Sequence, residues 1–227
     1  MELLEILNAQ HDVHVIDSAI GYEEYGPMDL SAANKEITEA LVSDSTAFQE
    51  FITSDLAKRK LLAAYGGYNE RRLLYKRSVF FSDDFGPERD IHIGLDIWTE
   101  KGTPVLAALD GVVHSFDYNA GKGNYGPTII LKHEIDGVTF HTLYGHLTMD
   151  DIEDIEIGHR FEKGEQIAKL GDSSENGDYP SHLHFQIIRD LEGNFGDYPG
   201  VCNESDLPHY LENCPDPNLL LKIKHTT

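Results

Sequence analysis

Ser181-His182-Leu183-His184-Phe185-Gln186-Ile187-Ile188 is the stretch from which the rest of the chain can be read. Polar and apolar residues alternate along it, which predicts a β-strand with His182, His184 and Gln186 on one face and Leu183, Phe185 and Ile187 on the other. Side chains two apart on a strand lie roughly 6.5 Å from each other. One imidazole can therefore hold a metal while its neighbour reaches whatever the metal binds. Two histidines on the solvated face of an edge strand would show the same pattern, so the pair decides nothing by itself.

The neighbourhood of this strand is β-rich. Short runs at 105–108, 111–116, 128–133, 139–147 and 166–170 alternate with Gly, Asp, Asn and Pro turns, and residues 73–81 read as a further strand. This predicts a mainly β protein, α+β overall, built as an antiparallel sandwich or partly open barrel. Lys101-Gly102-Thr103-Pro104-Val105 is echoed by Lys163-Gly164-Glu165-Gln166-Ile167, by duplication or by coincidence. Before the β region the pattern is helical: Ile37 and Leu41 follow a Ser31 cap, and Phe48, Ile52 and Leu56 continue at the same spacing until Gly66-Gly67. The expected organisation is an N-terminal helical extension over 1–85, a β domain over 86–195, and a Pro-rich tail over 196–227 that packs back through Leu219-Leu220-Leu221. The extension has two readings, a buttress for the sheet or a cover over a substrate groove.

Eighteen Lys+Arg against forty Asp+Glu give a net charge of −22, which argues against nucleic acid or an anionic membrane as a partner. No apolar run approaches the ~20 residues needed to span a bilayer. Met1-Glu2-Leu3-Leu4-Glu5 carries no basic n-region and no apolar run follows it, so the expected location is cytoplasmic, or exported if a leader had been removed. Cys202 and Cys214 are no disulfide framework; free thiols are expected, although the two could pair.

A metal site needs three or four His, Cys, Asp or Glu ligands, and a catalytic one keeps a position open. Asp90-Ile91-His92-Ile93-Gly94-Leu95-Asp96 supplies His92 and Asp96, which share a strand face by parity. Four extended residues span about 13 Å, too far for one metal. The chain must therefore bend or bulge between them, at Gly94. Leu143-Tyr144-Gly145-His146-Leu147 adds another strand-borne histidine, with Tyr144 and His146 on one face.

Together these segments resemble the signature of the lysostaphin/LytM-type zinc metallopeptidases, over about residues 88–190. The turn residues match as well: Gly102-Thr103-Pro104-Val105, Asp110-Gly111-Val112-Val113, Gly126, and Gly164 through Gly171. The resemblance implies the duplicated hybrid motif fold, one zinc per chain held by His92, Asp96 and His184, and a catalytic pair formed by His146 and His182. It also implies hydrolysis of a peptide bond, as a peptidoglycan-type endopeptidase, by zinc-bound water assisted by the two histidines. Familiar members are exported and cut cross-links in the bacterial cell wall. The flanks Glu70-Arg71-Arg72-Leu73-Leu74-Tyr75-Lys76-Arg77-Ser78 and Pro215-Asp216-Pro217-Asn218-Leu219-Leu220-Leu221 resemble a branch in which such a domain sits in larger bacterial proteins. That branch implies a short peptide or small amide as substrate, beside the muropeptides of the wider family.

Other designs fit less well. His133-Glu134-Ile135-Asp136-Gly137 begins like His-Glu-x-x-His but lacks the second histidine. A cupin-type iron site would need an acid shortly after His-x-His, where Ile187, Ile188 and Arg189 stand. Two rivals remain: a non-catalytic zinc-binding or regulatory module of the same scaffold, and a histidine phosphoryl carrier. Retention of all five positions argues against the first. Asp96 argues against the second, since a carrier needs no acidic metal ligand.

Overall fold

The computed structural model describes residues 2–77 and 87–224. The central strand is the one that alternation marks. Strand β12 (His182–Ile188) runs antiparallel between β5 (Leu95–Trp98) and β9 (Val138–Gly145) in an eight-stranded sheet. Beyond β9 follow β8 (Gly126–Ile135), β7 (Gly111–Asn119) and β10 (Arg160–Phe161); beyond β5 lie β2 (Ala63–Gly66) and β1 (Tyr25–Pro27). Among the described strands only β1 and β2 pair in parallel. No closed barrel forms among the described residues. Nor is any helix among them long and apolar enough to cross a membrane.

Both faces of β12 are covered, and all seven of its residues are buried. Leu183, Phe185 and Ile187 join the main core with Ile129, Leu131, Phe140 and Tyr144. That side is roofed by the pair β6 (Pro104–Leu106) and β11 (Gln166–Lys169), and by helices α1 (Leu3–Ala9) and α6 (Asn218–Leu221). The opposite face lies under a three-stranded sheet of β3 (Glu70–Arg71), β4 (Ile91–His92) and β13 (Val201–Cys202). There Ile130, Leu143 and Ile188 pack with Tyr198, Cys202 and Cys214; both cysteines are buried and free.

The two Lys-Gly turns are structurally equivalent. Gly102 N donates to Leu170 O and Gly164 N to Ala107 O, both at 2.8 Å, and the two turns feed strands that pair with each other. Gly102 (φ 77°) and Gly164 (φ 79°) occupy the left-handed region, which a side chain would strain.

The early helices differ from expectation. Helix α2 (Glu39–Ser43) begins at Thr38, whose Oγ1 accepts from Leu41 N, while Ser31 lies in a turn beside Asn34. Asp44 caps α3 (Ser45–Arg59) by accepting from Thr46 N and Ala47 N, and α3 stops at left-handed Lys60 rather than at Gly66-Gly67. The small residues Ala63 and Ala64 are buried as β2, so the N-terminal segment supplies strands to the large sheet as well as helices. Phe48 and Ile52 of α3 pack with Leu74 and Trp98. Residues 73–77 are a 3₁₀ turn instead of strand, with Leu74 packed against Phe48 and Trp98 and Tyr75 stacked near His92; residues 78–81 of that expected strand lie outside the described residues. Helix α4 (Met149–Glu153) precedes β10 within the β region, and in the C-terminal segment α5 (Leu207–Asn213) adds order where an irregular tail is expected.

Candidate metal centre

His92 and Asp96 sit on strands of different sheets. Strand β4 ends at His92, the chain bends at Gly94, and β5 begins at Leu95. The bend the ligand geometry requires is therefore present. Its glycine is needed for room: a Cβ at Gly94 would stand 2.4 Å from Cε1 of His184. Across the β5–β12 ladder Asp96 lies directly opposite His184.

Three donor atoms converge. His92 Nε2 is 2.9 Å from His184 Nδ1 and 3.3 Å from Asp96 Oδ1, and His184 Nδ1 is 3.2 Å from Asp96 Oδ1. A tetrahedral metal with bonds near 2.0–2.1 Å separates its ligands by about 3.3 Å. Two imidazoles and one carboxylate at this spacing suit zinc with an open fourth position. The other ring nitrogens fix the tautomers that this requires. His92 Nδ1–H donates to Gly67 O at 2.8 Å, and His184 Nε2–H donates to Gln186 Oε1 at 2.9 Å. Gln186 is itself held, since its Nε2 donates to Pro199 O. Burial lowers His92 to about 4, so its imidazole is neutral and its lone pair available. Burial alone would raise Asp96, but the neighbouring His92 and the Arg72 guanidinium outweigh it and hold the carboxyl well below its usual range.

His182 and His146 stand beside this cluster, with ring centroids 4.2 Å apart. His182 Nε2 is 4.0 Å from Asp96 Oδ1, and the ring stacks on Trp98. The placement of His146 differs from strand parity. Strand β9 stops at Gly145, and His146 turns into the left-handed region (φ 66°), with its N–H donating to Tyr125 O. Tyr144 instead faces the main core, where its hydroxyl accepts from Ala108 N. All five expected site residues line one cavity of about 300 Å³.

Three contributors escape sequence reasoning. Arg72 is 1% exposed and donates to Asp96 Oδ2 at 2.6 Å. Tyr125 approaches His184 Nε2 at 3.4 Å while its hydroxyl donates to Tyr198 O. Gln186 shares the parity of the histidines, and that parity is the signal that could have found it. His133, the remnant of the rejected His-Glu motif, is buried between Asp110 O and Thr142 Oγ1.

Residues 90–195 match the model of peptidase family M23. The peptidoglycan DD-endopeptidase ShyC of Vibrio cholerae is 31% identical over 115 residues, covering 47% of this chain and 24% of its own length. The L-Ala--D-Glu endopeptidase of Bacillus subtilis is 32% identical over 123 residues, covering 51% of this chain and 35% of its own. The chain spans between 18% and 35% of the length of the curated relatives it matches. Among solved structures, the catalytic domain of lysostaphin from Staphylococcus simulans aligns with a TM-score of 0.40 at 25% identity, over 64% of this chain and 90% of that one. Residues 90–195 thus form a domain of peptidase family M23.

Proposed function

We propose that the chain is a zinc-dependent endopeptidase that hydrolyses an amide bond in a peptidoglycan-type peptide, with one zinc held by His92, Asp96 and His184. The observation that carries this reading is the convergence of those three donors to within 3.3 Å, beside two buried imidazoles that the donor set does not use. The relatives named for peptidoglycan and L-Ala--D-Glu endopeptidase activity support the substrate class. Zinc there would supply Lewis acidity, acidifying water and polarising a carbonyl.

The chain's own residues manage the proton. His146 Nδ1–H donates to Asn176 O and His182 Nδ1–H to Pro180 O, so each ring presents a bare Nε2. Burial lowers His182 to about 4; burial and the adjacent His182 push His146 well below its ordinary value. Both are therefore neutral bases at pH 7. One Nε2 accepts the proton of the attacking water as the C–O bond forms. The pair then delivers a proton to the leaving amine nitrogen as the C–N bond breaks.

Metal analysis and digestion of a muropeptide mixture, read by mass spectrometry, test the reading. The expected result is about one zinc per chain and new amide cleavage, with both lost in Asp96→Ala and His184→Ala. Protein that binds no zinc overturns it, and zinc-loaded protein that cleaves no peptide or muropeptide moves the chain to a regulatory role.

A further inference from the structure

The family match begins at residue 90, yet two of the contacts that orient the metal ligands come from before it. Strand β2 pairs Gly66 with Asp96, and β3 pairs Glu70 with His92, so the turn between β2 and β3 lies against both ligands. From this turn Gly67 O accepts from His92 Nδ1, which leaves Nε2 as the only lone pair that ring offers. Arg72 follows immediately. Its Nη1 donates to Asp96 Oδ2 at 2.6 Å and its Nε to Glu70 Oε2 at 2.6 Å, with its guanidinium carbon 5.6 Å from the Trp98 ring centre.

These contacts fit one another. A Cβ on Gly67 would come within 1.7 Å of Arg72 Nη2 and 3.1 Å of His92 Nδ1, so a glycine is what lets the guanidinium and the ligand ring share this corner. A buried arginine is costly without anionic partners, and here Glu70 and Asp96 take both sides of it. Because one Asp96 oxygen is occupied by Arg72, only Oδ1 faces the two imidazoles.

We propose that the segment from Gly67 to Arg72, outside the M23-matched region, is the positioning shell of the metal centre. Arg72 restricts Asp96 to a single-oxygen ligand, Gly67 O sets the tautomer of His92, and Glu70 anchors Arg72. This rests on the zinc-site reading above. Arg72 is a positioning residue and does not touch substrate.

The test is the affinity of the full chain for Zn²⁺ alone, by competition with a chromophoric chelator, together with the visible spectrum of the Co²⁺-substituted protein. Arg72→Met should weaken zinc binding by about 10–100-fold. Its Co²⁺ bands should lose intensity as Asp96 becomes free to bind through both oxygens and the coordination number rises. Glu70→Gln, which keeps the guanidinium, should fall between Arg72→Met and the wild type, and it carries the test if Arg72→Met does not fold. Arg72→Lys keeps the charge but not the fork and should recover only part of the affinity. Folded variants that bind zinc within twofold of the wild type with an unchanged Co²⁺ spectrum, or that bind it more tightly, overturn the inference. If instead the wild type binds no metal, it is the zinc-site reading that fails.

Discussion

The rings of His146 and His182 lie 4.2 Å apart at their centroids, yet neither bonds the other through Nδ1, because each Nδ1 is committed to a backbone carbonyl, Asn176 O and Pro180 O. Two imidazolium rings this close repel, so the pair takes up at most one added proton at a time, as the proposed reaction requires of a single relay. Replacing either His146 or His182 by Ala should lower kcat by about 10²–10⁴-fold while zinc content stays at the wild-type level. The double variant should be little worse than the poorer single one. Kinetics and metal analysis on the three proteins check this; loss of zinc from either single variant would reassign that histidine as a ligand.

Gly94 serves the site by what it lacks. A methyl group there would meet His184 at 2.4 Å from Cε1 and 2.6 Å from Nε2, and the ring is held by its bond to Gln186. Gly94→Ala should cost about 1–3 kcal/mol in urea unfolding and weaken zinc binding together. Gly102→Ala is the control. Nothing lies within 4 Å of its added Cβ but its φ is positive, so it should lose stability and keep full zinc affinity.

Because His92 belongs to the three-stranded sheet and Asp96 and His184 to the eight-stranded one, a bound metal ties two sheets together. Zinc at 100 times its dissociation constant should stabilise the protein by about 2.7 kcal/mol. For a chain of this size that is a rise in Tm of roughly 5–11 °C, measured by calorimetry with and without chelator. An Asp96→Ala variant should show no such difference.

How far the sequence reached depended on the range of the contact. Alternation alone locates β12, and ligand distances alone demand a bend at Gly94, since both are consequences of strand geometry within a few residues. The parity argument fails at His146 because one left-handed residue ends β9, and nothing local in Tyr144-Gly145-His146 announces it. Strand-like composition likewise misleads at residues 73–77, where Leu74 packs with Phe48 and Trp98 while Tyr75 stacks near His92. Arg72 has no pattern to betray it. Its partner Asp96 is 24 residues away, and the pairings of β2 with β5 and of β3 with β4 bring them together.

His133 gives a pH signature away from the candidate metal centre. It is buried, with Nδ1 2.9 Å from Asp110 O and Nε2 2.7 Å from Thr142 Oγ1, and burial lowers it to about 4. In the unfolded chain it titrates near ~6.5. Between those values the unfolded state takes up a proton that the folded state refuses, so stability is full above about 6.5 and falls as pH drops toward 4. The loss from this residue should approach about 3 kcal/mol across the window. His92 and His182, also lowered to about 4, add to the same slope in the wild type, so the diagnostic quantity is a difference. Urea unfolding of the wild type and of His133→Gln at several pH values between 4 and 7.5 should show a shallower fall in the variant. Equal slopes would mean that His133 is protonated in the folded protein, or that acid opens its pocket before the proton binds.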